Sequence, residues 1–322
     1  MNIKYNLPLN KTTLFQLWKT MFFYREIEKA ISKNYYKGHM RCPTHLSIGQ
    51  ELVPAIISLI KKKKDCAVSS HRGHLHFLSF GGKPYEMISE IYGLPSGCSK
   101  GFGGSMHLAD KKNGFLGTSA IVGNSIPVGI GAALANKIDN KPYVTFIFIG
   151  DGATEEGVFS EAINFCSLKK LNVIFVCENN LYSVYSNLEV RRPNNFSITN
   201  SVKAYGLYSK KIKYSKIDET YNKLNYAYKL ARKGKPCLIE IETYRFLEHC
   251  GPNYDNDLEY RSNKEFEKYM KNDPLKKIKK ALMKDIYYKN KTINIEKNTN
   301  IKLKKLFSGI EKEYLKVSGQ YL

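Results

Sequence analysis

The sequence predicts an α/β fold in which a parallel β-sheet is flanked by helices. Two apolar runs, 143–150 (YVTFIFIG) and 172–178 (NVIFVCE), have the β-branched and aromatic composition of strands that are buried on both faces. The stretch between the two runs has apolar residues near helical spacing, at Val158, Ala162, Phe165 and Leu168. A strand, a helix and a second strand in this order make a βαβ unit, in which the strands are parallel.

Helices are predicted on the N-terminal side of this unit. Residues 12–36 carry apolar positions at helical spacing, and the pattern ends at Gly38. A second helix is predicted over roughly 50–60. We therefore assign residues 1–60 to an N-terminal helical segment that packs on the core.

The central residues 61–265 are predicted to form the α/β core. Glycine recurs over 69–129, which indicates loops that approach another group closely, with short helices between them. Residues 126–138 (IPVGIGAALANKI) are typical of a buried helix whose small residues allow tight packing. A later strand is predicted within 235–246 (KPCLIEIETYRF).

The last part of the chain, residues 266–322, is predicted to be a Lys-rich helical extension. Its helical pattern begins near residue 264 and is interrupted at NDP (272–274), where a proline follows a capping residue. We find no internal repeat and no flexible linker in the chain.

The composition favours a soluble, intracellular and cytoplasmic protein. Of the 322 residues 43% are hydrophobic, and no run approaches the roughly 18 apolar residues of a membrane span. The first residues, MNIKYNLPLN, lack the features of a signal or transit peptide. The seven cysteines form no CxxC pair and have no zinc-like spacing, which suits a reducing compartment.

The formal net charge of +22 raises the question of nucleic-acid binding. Lysine is spread along the whole chain, and the clusters Lys61–Lys64 and Lys276–Lys280 fall among helical patterns, where a solvated face is expected. Helix-turn-helix, zinc-finger and RNP patterns are absent from the sequence. We therefore expect no nucleic-acid function, whereas an acidic substrate or an acidic partner surface is compatible with the charge.

Two polar motifs follow the strands of the βαβ unit. Asp151 lies in GDG (150–152) after the first strand, and Asn180 closes ENN (178–180) after the second. Because ligands of parallel α/β sheets bind beyond the carboxyl ends of the strands, we expect these two side chains to lie together. A carboxylate and an amide oxygen suit Mg²⁺, which completes its coordination shell with phosphate and water oxygens.

A diphosphate group fits the same place. Gly150 and Gly152 allow an anion to approach the backbone, and a helix that begins near Ala153 would direct its N–H groups at that anion. The alternative is an ordinary strand-to-helix turn, with Asp151 as a helix cap and Asn180 as a turn residue. The two motifs on neighbouring strands favour a diphosphate–magnesium cofactor.

With these motifs the sequence resembles the α subunits of the heterotetrameric 2-oxo acid dehydrogenase E1 enzymes, which include the pyruvate, branched-chain and acetoin dehydrogenases. GDG and NN at this spacing resemble the thiamin diphosphate motif. The resemblance covers most of the chain, from about residue 21 to residue 278. Its other motifs are HLSIGQE (45–51), SSHRGH (69–74), KGFGGSMH (100–107), SAIVGNSIPVGIGAALA (119–135) and KPCLIEIETYRF (235–246).

The resemblance implies a set of ligands for the metal and for the diphosphate. The Mg²⁺ ligands would be Asp151, Asn180 and the backbone carbonyl of Tyr182. The diphosphate would lie against Gly150 and would accept hydrogen bonds from the backbone at 152–153, which is Gly152 and Ala153.

The resemblance also implies contacts from two further loops. Where the family has Tyr-Arg, this chain has His71 and Arg72, and we expect both to donate hydrogen bonds to the diphosphate. The alternative for Arg72 is a surface ion pair. The aminopyrimidine ring is expected along 119–124, with main-chain contacts at Ala120 and Val122 and with the Val122 side chain as the wedge that bends the cofactor.

Three histidines are candidates for catalysis. His249 matches a loop histidine with which the family orients its substrate, and His74 and His107 lie in cofactor-facing motifs, where each is either catalytic or a structural hydrogen-bonder. This chain has Glu-His-Cys at 248–250 where the family has Gly-His-Ser, which leaves the substrate class open. The histidines expected to be structural are His39, His45 and His76.

The implied activity is the decarboxylation of a 2-oxo acid, or the cleavage of acetoin, with transfer of the acyl or hydroxyalkyl group to a lipoyl group or another acceptor. This chain matches only the diphosphate-binding half of such an enzyme. A separate β subunit, an α2β2 assembly and a lipoyl-bearing E2 acyltransferase are therefore expected as partners. The alternative is a cofactor-binding but non-catalytic regulatory subunit of such a complex.

Overall fold

A six-stranded parallel sheet lies at the centre of the computed structural model, which describes residues 8–319. Within these residues the strand order in this sheet is β2-β1-β3-β4-β8-β7, and β5 and β6 form a separate small hairpin. The strands are β1 (Cys66–Ser70), β2 (Phe115–Ser119), β3 (Thr145–Gly150), β4 (Val173–Asn179), β5 (Tyr182–Ser183), β6 (Ser186–Asn187), β7 (Tyr208–Ile212) and β8 (Cys237–Glu242).

Helices cover both faces of the sheet. In chain order they are α1 (Lys11–Tyr35), α2 (Leu52–Ile60), α3 (His74–Ser79), α4 (Pro84–Ile91), α5 (Ser125–Ile138), α6 (Gly157–Leu168), α7 (Leu188–Arg191), α8 (Ile198–Lys203), α9 (Ile217–Ala231), α10 (Asn263–Lys271), α11 (Pro274–Leu282) and α12 (Ile286–Ser318). Short 3₁₀ turns occur at Gly104–Met106, Lys111–Asn113, Asp151–Glu155 and Asn256–Leu258. Among the described residues, no helix has the length and the apolar character needed to cross a bilayer.

The predicted βαβ unit is confirmed: β3, α6 and β4 follow one another, and β3 pairs in parallel with β4. Alternate side chains of these strands enter two separate apolar clusters, one on each face of the sheet. Phe146 and Phe148 pack with α1, α2 and α9 on one face, whereas Ile147 and Ile149 pack with α5, α6 and α8 on the other. Burial on both faces explains why these runs are continuously apolar.

Three strands of the large sheet were not predicted. β1 and β2 are short and contain serine or glycine, so residues 69–129 looked like loops. β7 is the edge strand beyond β8. Its two consecutive exposed residues, Lys210 and Lys211, interrupt the alternation of apolar and polar residues that is typical of a strand. Charged side chains on an edge strand discourage pairing with another chain.

The helix after β3 differs from the prediction in its start and in its buried face. Residues 151–155 form a 3₁₀ turn, and α6 begins only at Gly157 instead of near Ala153. The predicted face is wrong as well, since Leu168 is 73% exposed. The residues of α6 that are buried against the sheet are Phe159, Ala162, Ile163 and Cys166.

Helix α5 is buried on one side only, which corrects the prediction of a buried helix. It packs on β1 and β3, with Ile126 and Ile130 in the core. Its opposite side is open to solvent: Val128 is 52% exposed and Ile138 is 70% exposed. Gly131 lies on the same exposed side, and a Cβ added there would meet no atom within 4 Å.

The predicted terminal helices are present. The Asn10 side chain accepts a hydrogen bond from Thr13 N at 2.8 Å and caps α1, and the helical tail is interrupted at NDP as predicted. A second interruption, at Asp285, was not predicted; there the carboxylate accepts from the first N–H groups of α12. The predicted segments also include residues 1–7 and 320–322, which lie outside the described residues.

A buried ion cluster ties the N-terminal and C-terminal segments together. Arg25 on α1 donates to Oε2 of Glu51 at 2.8 Å and to Oδ2 of Asp273 at 3.0 Å. All three residues are at most 6% exposed, so each charge depends on the others for its stabilisation. The terminal helices pack against the same apolar cluster as the sheet. The predicted division into segments 1–60, 61–265 and 266–322 stays a prediction.

Candidate functional site

The carboxyl ends of β3 and β4 line an open pocket. Gly150 lies opposite Glu178 in the parallel ladder, so Asp151 and Asn180 leave neighbouring strands at the same edge of the sheet, as predicted. The predicted residues that line this pocket are His71, Arg72, Val122, Gly150, Asp151, Gly152, Ala153, Asn180, Tyr182 and His249.

Asp151 is a buried carboxylate that lines this pocket. It is 1% exposed, and its Oδ2 is paired with the guanidinium of Arg191. A positive partner strongly stabilises a buried carboxylate, because the carboxylate has lost its hydration. The backbone beside it is accessible, since a Cβ added to Gly150 would meet no atom within 4 Å.

The two asparagines after β4 have different surroundings. Asn179 is buried, and its side chain donates to Oε1 of Glu240 at 2.9 Å, so it is part of the sheet structure. Asn180 lines the pocket, and its Oδ1 accepts a hydrogen bond from the backbone N of Tyr182 at 3.2 Å. This short turn places the Tyr182 backbone at the same edge, and Leu181 between them has φ +73°.

Arg72 is a buried cation that lines the same pocket. It is 8% exposed, which excludes the alternative of a surface ion pair. Its guanidinium donates to the carbonyl oxygens of Leu46 and His249, at 2.5 and 2.9 Å, and neither acceptor is charged. Burial, with the nearby charge of Arg245, lowers the pKa of Arg72 to about 9, so it remains protonated at neutral pH. A buried cation with neutral acceptors favours the binding of an anion.

Three histidines cluster beside Arg72. The ring centroid of His45 lies 4.6 Å from that of His71 and 4.9 Å from that of His249, so His45, expected to be structural, adjoins the candidate site. Burial and the charge of Arg72 lower the pKa values of His45, His71 and His249 to about 2, 4 and 3. One ring nitrogen of each histidine lies within 4.8 Å of those of the other two, a spacing that could hold a metal ion. The adjacent guanidinium of Arg72, however, would repel a dication. The cluster therefore favours an anion or a neutral polar group.

Three predicted residues do not line the pocket. His74 is fully buried: its Nδ1 donates to Oε1 of Glu28 at 2.8 Å, and its Nε2 lies 2.8 Å from Oγ of Ser105. These contacts are those of a structural hydrogen-bonder, which was the alternative to a catalytic role for His74. His107 is exposed in the glycine-rich loop, and Ala120 is half-buried.

Two buried polar residues of the pocket were missed. Oε2 of Glu178 accepts from His76 Nε2 at 2.6 Å, but its Oε1 is without a hydrogen-bond partner among the described residues. The same holds for Oε1 of Gln50. Both residues line the pocket. Glu178 is an acidic residue at the end of the mostly apolar run 172–178. This position was the signal that could have identified it.

Glu90 on α4 was missed as well, and it holds the glycine-rich loop. Its buried carboxylate accepts hydrogen bonds from four backbone N–H groups, at distances of 2.6 to 3.2 Å. The donors are Ser99, Gly101, Gly103 and Gly104. One carboxylate thus fixes the KGFGGSMH loop, in which a Cβ on Gly101 would lie 2.6 Å from the backbone oxygen of Gly93.

The polar groups of the pocket fit an anionic ligand that binds together with a cation. Asp151 and Asn180 supply oxygens, Arg72 supplies a buried positive charge, and Gly150 supplies open backbone. The unpartnered oxygens of Glu178 and Gln50 fit a ligand that also carries hydrogen-bond donors.

This chain is similar to known proteins over most of its length. Residues 19–312 match the family described as Dehydrogenase E1 component. The chain is 33% identical over 278 residues to the pyruvate dehydrogenase E1 component subunit alpha of Rickettsia bellii (strain RML369-C), an alignment that covers 86% of this chain and 84% of the relative. It is 35% identical over 286 residues to the protein of the same name from Porphyra purpurea, covering 86% of this chain and 82% of the relative.

A solved structure shares the fold. The transketolase from Campylobacter jejuni subsp. jejuni NCTC 11168 superposes with a TM-score of 0.56 at 17% identity, and the match covers 88% of this chain. This chain spans about half of the transketolase, 49% of its length. The likeness shows that this chain shares its fold, the parallel sheet with flanking helices, with part of the transketolase. From the family match and these relatives, the chain belongs to the dehydrogenase E1 component family, as an α subunit of the thiamin diphosphate-dependent 2-oxo acid dehydrogenases.

Proposed function

We propose that this chain binds the diphosphate end of thiamin diphosphate together with Mg²⁺ and acts on pyruvate or a similar 2-oxo acid. The metal ligands would be Asp151, Asn180 and the carbonyl oxygen of Tyr182. The observation that carries this proposal is the placement of Asp151 and Asn180 at the ends of paired parallel strands. When bound, the cofactor supplies a carbanion and an electron sink for decarboxylation of the 2-oxo acid.

The remaining residues of the pocket would bind and orient the anionic groups. Arg72 would neutralise the diphosphate, because its buried charge has only neutral hydrogen-bond acceptors. His71 would donate a hydrogen bond to the same group, and Val122, 46% exposed at the mouth of the pocket, would support the cofactor rings. The main-chain contact at Ala120 stays a prediction.

His249 is proposed to orient the substrate. Its ring lies beside Arg72 and His71, and it is neutral at neutral pH, so it can both donate and accept a hydrogen bond. Pyruvate is proposed because the relatives are named for it. The Glu-His-Cys sequence at 248–250 is the feature of the loop that would alter substrate choice. The position of His107 in the glycine-rich loop keeps it as a second candidate for contact with the substrate.

A separate β subunit is proposed as the partner, in an α2β2 assembly. The exposed side of α5 supports it, because Gly131 lies in the middle of the helix and none of residues 8–319 packs on it. Glycine there costs about 1 kcal/mol relative to alanine, which a close contact with a second chain would offset. A lipoyl-bearing E2 acyltransferase is proposed as the acceptor.

The experiment is to tag this chain in its own host and determine which subunits and how much thiamin diphosphate the purified complex contains. We expect a second subunit at equal stoichiometry, Mg²⁺-dependent cofactor near one per αβ pair, and 2-oxo acid decarboxylation that neither subunit shows alone. A self-associated chain without cofactor would contradict the proposal. The regulatory alternative would be favoured if cofactor were bound but no 2-oxo acid were turned over.

A further inference from the structure

Arg191, the last residue of α7, is the counter-cation of the candidate metal carboxylate. Its Nη2 is paired with Oδ2 of Asp151, and its Nη1 lies 2.5 Å from Oε1 of Glu155. Its Nε donates to the carbonyl oxygens of Ser186 and Asn187, at 3.1 and 3.2 Å, which fixes the direction of the side chain. The side chain is only 10% exposed, so this arrangement is a built contact and not a surface encounter.

The neighbouring Arg192 binds the same turn in a different way. Its Nε lies 2.7 Å from Oε1 of Glu155, and its Nη2 donates to Oγ1 of Thr154 at 2.8 Å and to the backbone oxygen of Asp151. Arg192 therefore holds the backbone of the 3₁₀ turn, whereas Arg191 holds the carboxylate. This difference makes Arg192 a matched control for Arg191.

We propose that Arg191 competes with the divalent cation for Asp151 and thereby makes metal binding depend on the diphosphate. The inference rests on the proposed function of Asp151 as a metal ligand. A dication that binds Oδ2 would take the place of Nη2 of Arg191, which then lacks an acceptor while Nη1 keeps Glu155. A Cβ on Gly152 would lie 3.7 Å from Nη1 of Arg191, so the guanidinium already adjoins the backbone where the diphosphate is proposed to bind.

The charges of the network favour this exchange. Asp151 and Glu155 balance Arg191 and Arg192, so the four residues together are neutral. A dication that enters alone would leave an excess of positive charge in a largely buried place, which is costly. A diphosphate that enters with the dication restores the balance and gives the displaced Nη2 of Arg191 an acceptor.

The test measures the affinity of the full-length chain, in the complex in which it purifies, for Mn²⁺ as a paramagnetic probe. Free Mn²⁺ is titrated by electron paramagnetic resonance, with and without thiamin diphosphate. Without the diphosphate, Arg191→Ala should bind Mn²⁺ on the order of tenfold more tightly than the wild type, since its competitor is gone. With the diphosphate present, the difference should largely vanish. Arg191→Lys should stay close to the wild type. Arg192→Ala removes the same charge but no contact with the Asp151 carboxylate, so it should gain clearly less affinity than Arg191→Ala.

Thermal unfolding of the same variants gives a second measurement that does not depend on activity. Arg191→Ala should unfold at a lower temperature than the wild type when no metal is added, because Asp151 has lost its counter-cation, and Mn²⁺ should raise its Tm by more. Equal or weaker Mn²⁺ binding by folded Arg191→Ala without diphosphate would overturn the inference. If Asp151→Asn binds Mn²⁺ as the wild type does, the proposed metal site itself is wrong, which separates the two failures.

Discussion

Glu28 and His74 form a fully buried pair that joins the first helix to the start of α3. Oε1 of Glu28 accepts from Nδ1 of His74 at 2.8 Å, and its Oε2 accepts from the backbone N of Ser47 at 2.8 Å. Neither side chain of the pair has any exposed surface. The pair thus positions the 45–49 loop next to the pocket. This arrangement explains why a histidine in a cofactor-facing motif has no contact with the pocket.

Replacing His74 by leucine should destabilise the chain strongly. The substitution leaves the Glu28 carboxylate buried without its partner, which typically costs about 3–5 kcal/mol. Glu28→Gln combined with His74→Leu should cost less than the sum of the single variants, because the uncompensated charge is removed. The measurement is the free energy of unfolding in urea, with exposed His107→Ala as the control that should change it by less than about 0.5 kcal/mol. An unfolding free energy unchanged in His74→Leu would show that the pair is not structural.

Glu90→Gln should loosen the glycine-rich loop. An amide can accept hydrogen bonds only through its oxygen, so two of the four backbone donors would face a donor instead. We expect a loss of about 2–3 kcal/mol in stability and faster tryptic cleavage after the exposed Lys100. Glu86→Gln, which removes a surface ion pair with Lys83, is the matched control. Equal cleavage rates in both variants would argue against this role of Glu90.

The stability of the chain should fall as the pH drops below about 6.5. Burial lowers the pKa values of His45, His71 and His249 to about 2, 4 and 3 in the folded chain. Between pH 6.5 and 4 the unfolded chain therefore binds more protons than the folded chain, so the free energy of unfolding decreases with decreasing pH. The measurement is urea unfolding at several pH values. His71→Tyr should have a shallower slope over this interval, and an identical slope would exclude His71 as a contributor.

Gly131 and Gly309 allow a matched test of the partner surface. Both are exposed glycines inside helices, and a Cβ at either position would meet no atom within 4 Å. Leucine at either position should therefore be tolerated by the folded chain, with a gain of up to about 1 kcal/mol in helix propensity. Only Gly131→Leu should reduce the amount of β subunit that co-purifies with the chain. The same loss with Gly309→Leu, or no loss with Gly131→Leu, would mean that the exposed side of α5 is not the contact surface.

The β3–α6–β4 unit and the placement of Asp151 and Asn180 at one edge of the sheet were predictable from the sequence. The strands β3 and β4 are mostly apolar, and Asp151 and Asn180 follow them directly, so the local sequence was sufficient for this prediction. The start of α6 was not predictable in this way. Residues 151–155 contain no helix breaker other than Gly152, and the 3₁₀ turn forms where Arg192 binds the backbone oxygen of Asp151, a contact from 41 residues further along the chain.

The roles of Glu90 and Arg72 depend on tertiary contacts. The partners of Glu90 are backbone N–H groups of a loop. Every residue except proline has such a group, so the pattern of side chains in the sequence does not identify these partners. Arg72 was expected in the site, but its carbonyl acceptors in the 45–49 loop and at His249 become visible only when the chain is folded. The place of His45 beside His71 and His249 was not predictable for the same reason, since these neighbours come from the ends of distant elements.

The most direct measurement is the affinity of the purified complex for thiamin diphosphate, with and without Mg²⁺, in the wild type and in Asp151→Asn. We predict that the wild type binds the cofactor only with the metal. The variant, which keeps the shape of the side chain but loses its charge, should bind at least about 100-fold more weakly, a difference of about 2.7 kcal/mol. Tight, Mg²⁺-dependent binding by Asp151→Asn would contradict the assignment of the metal site to the ends of β3 and β4.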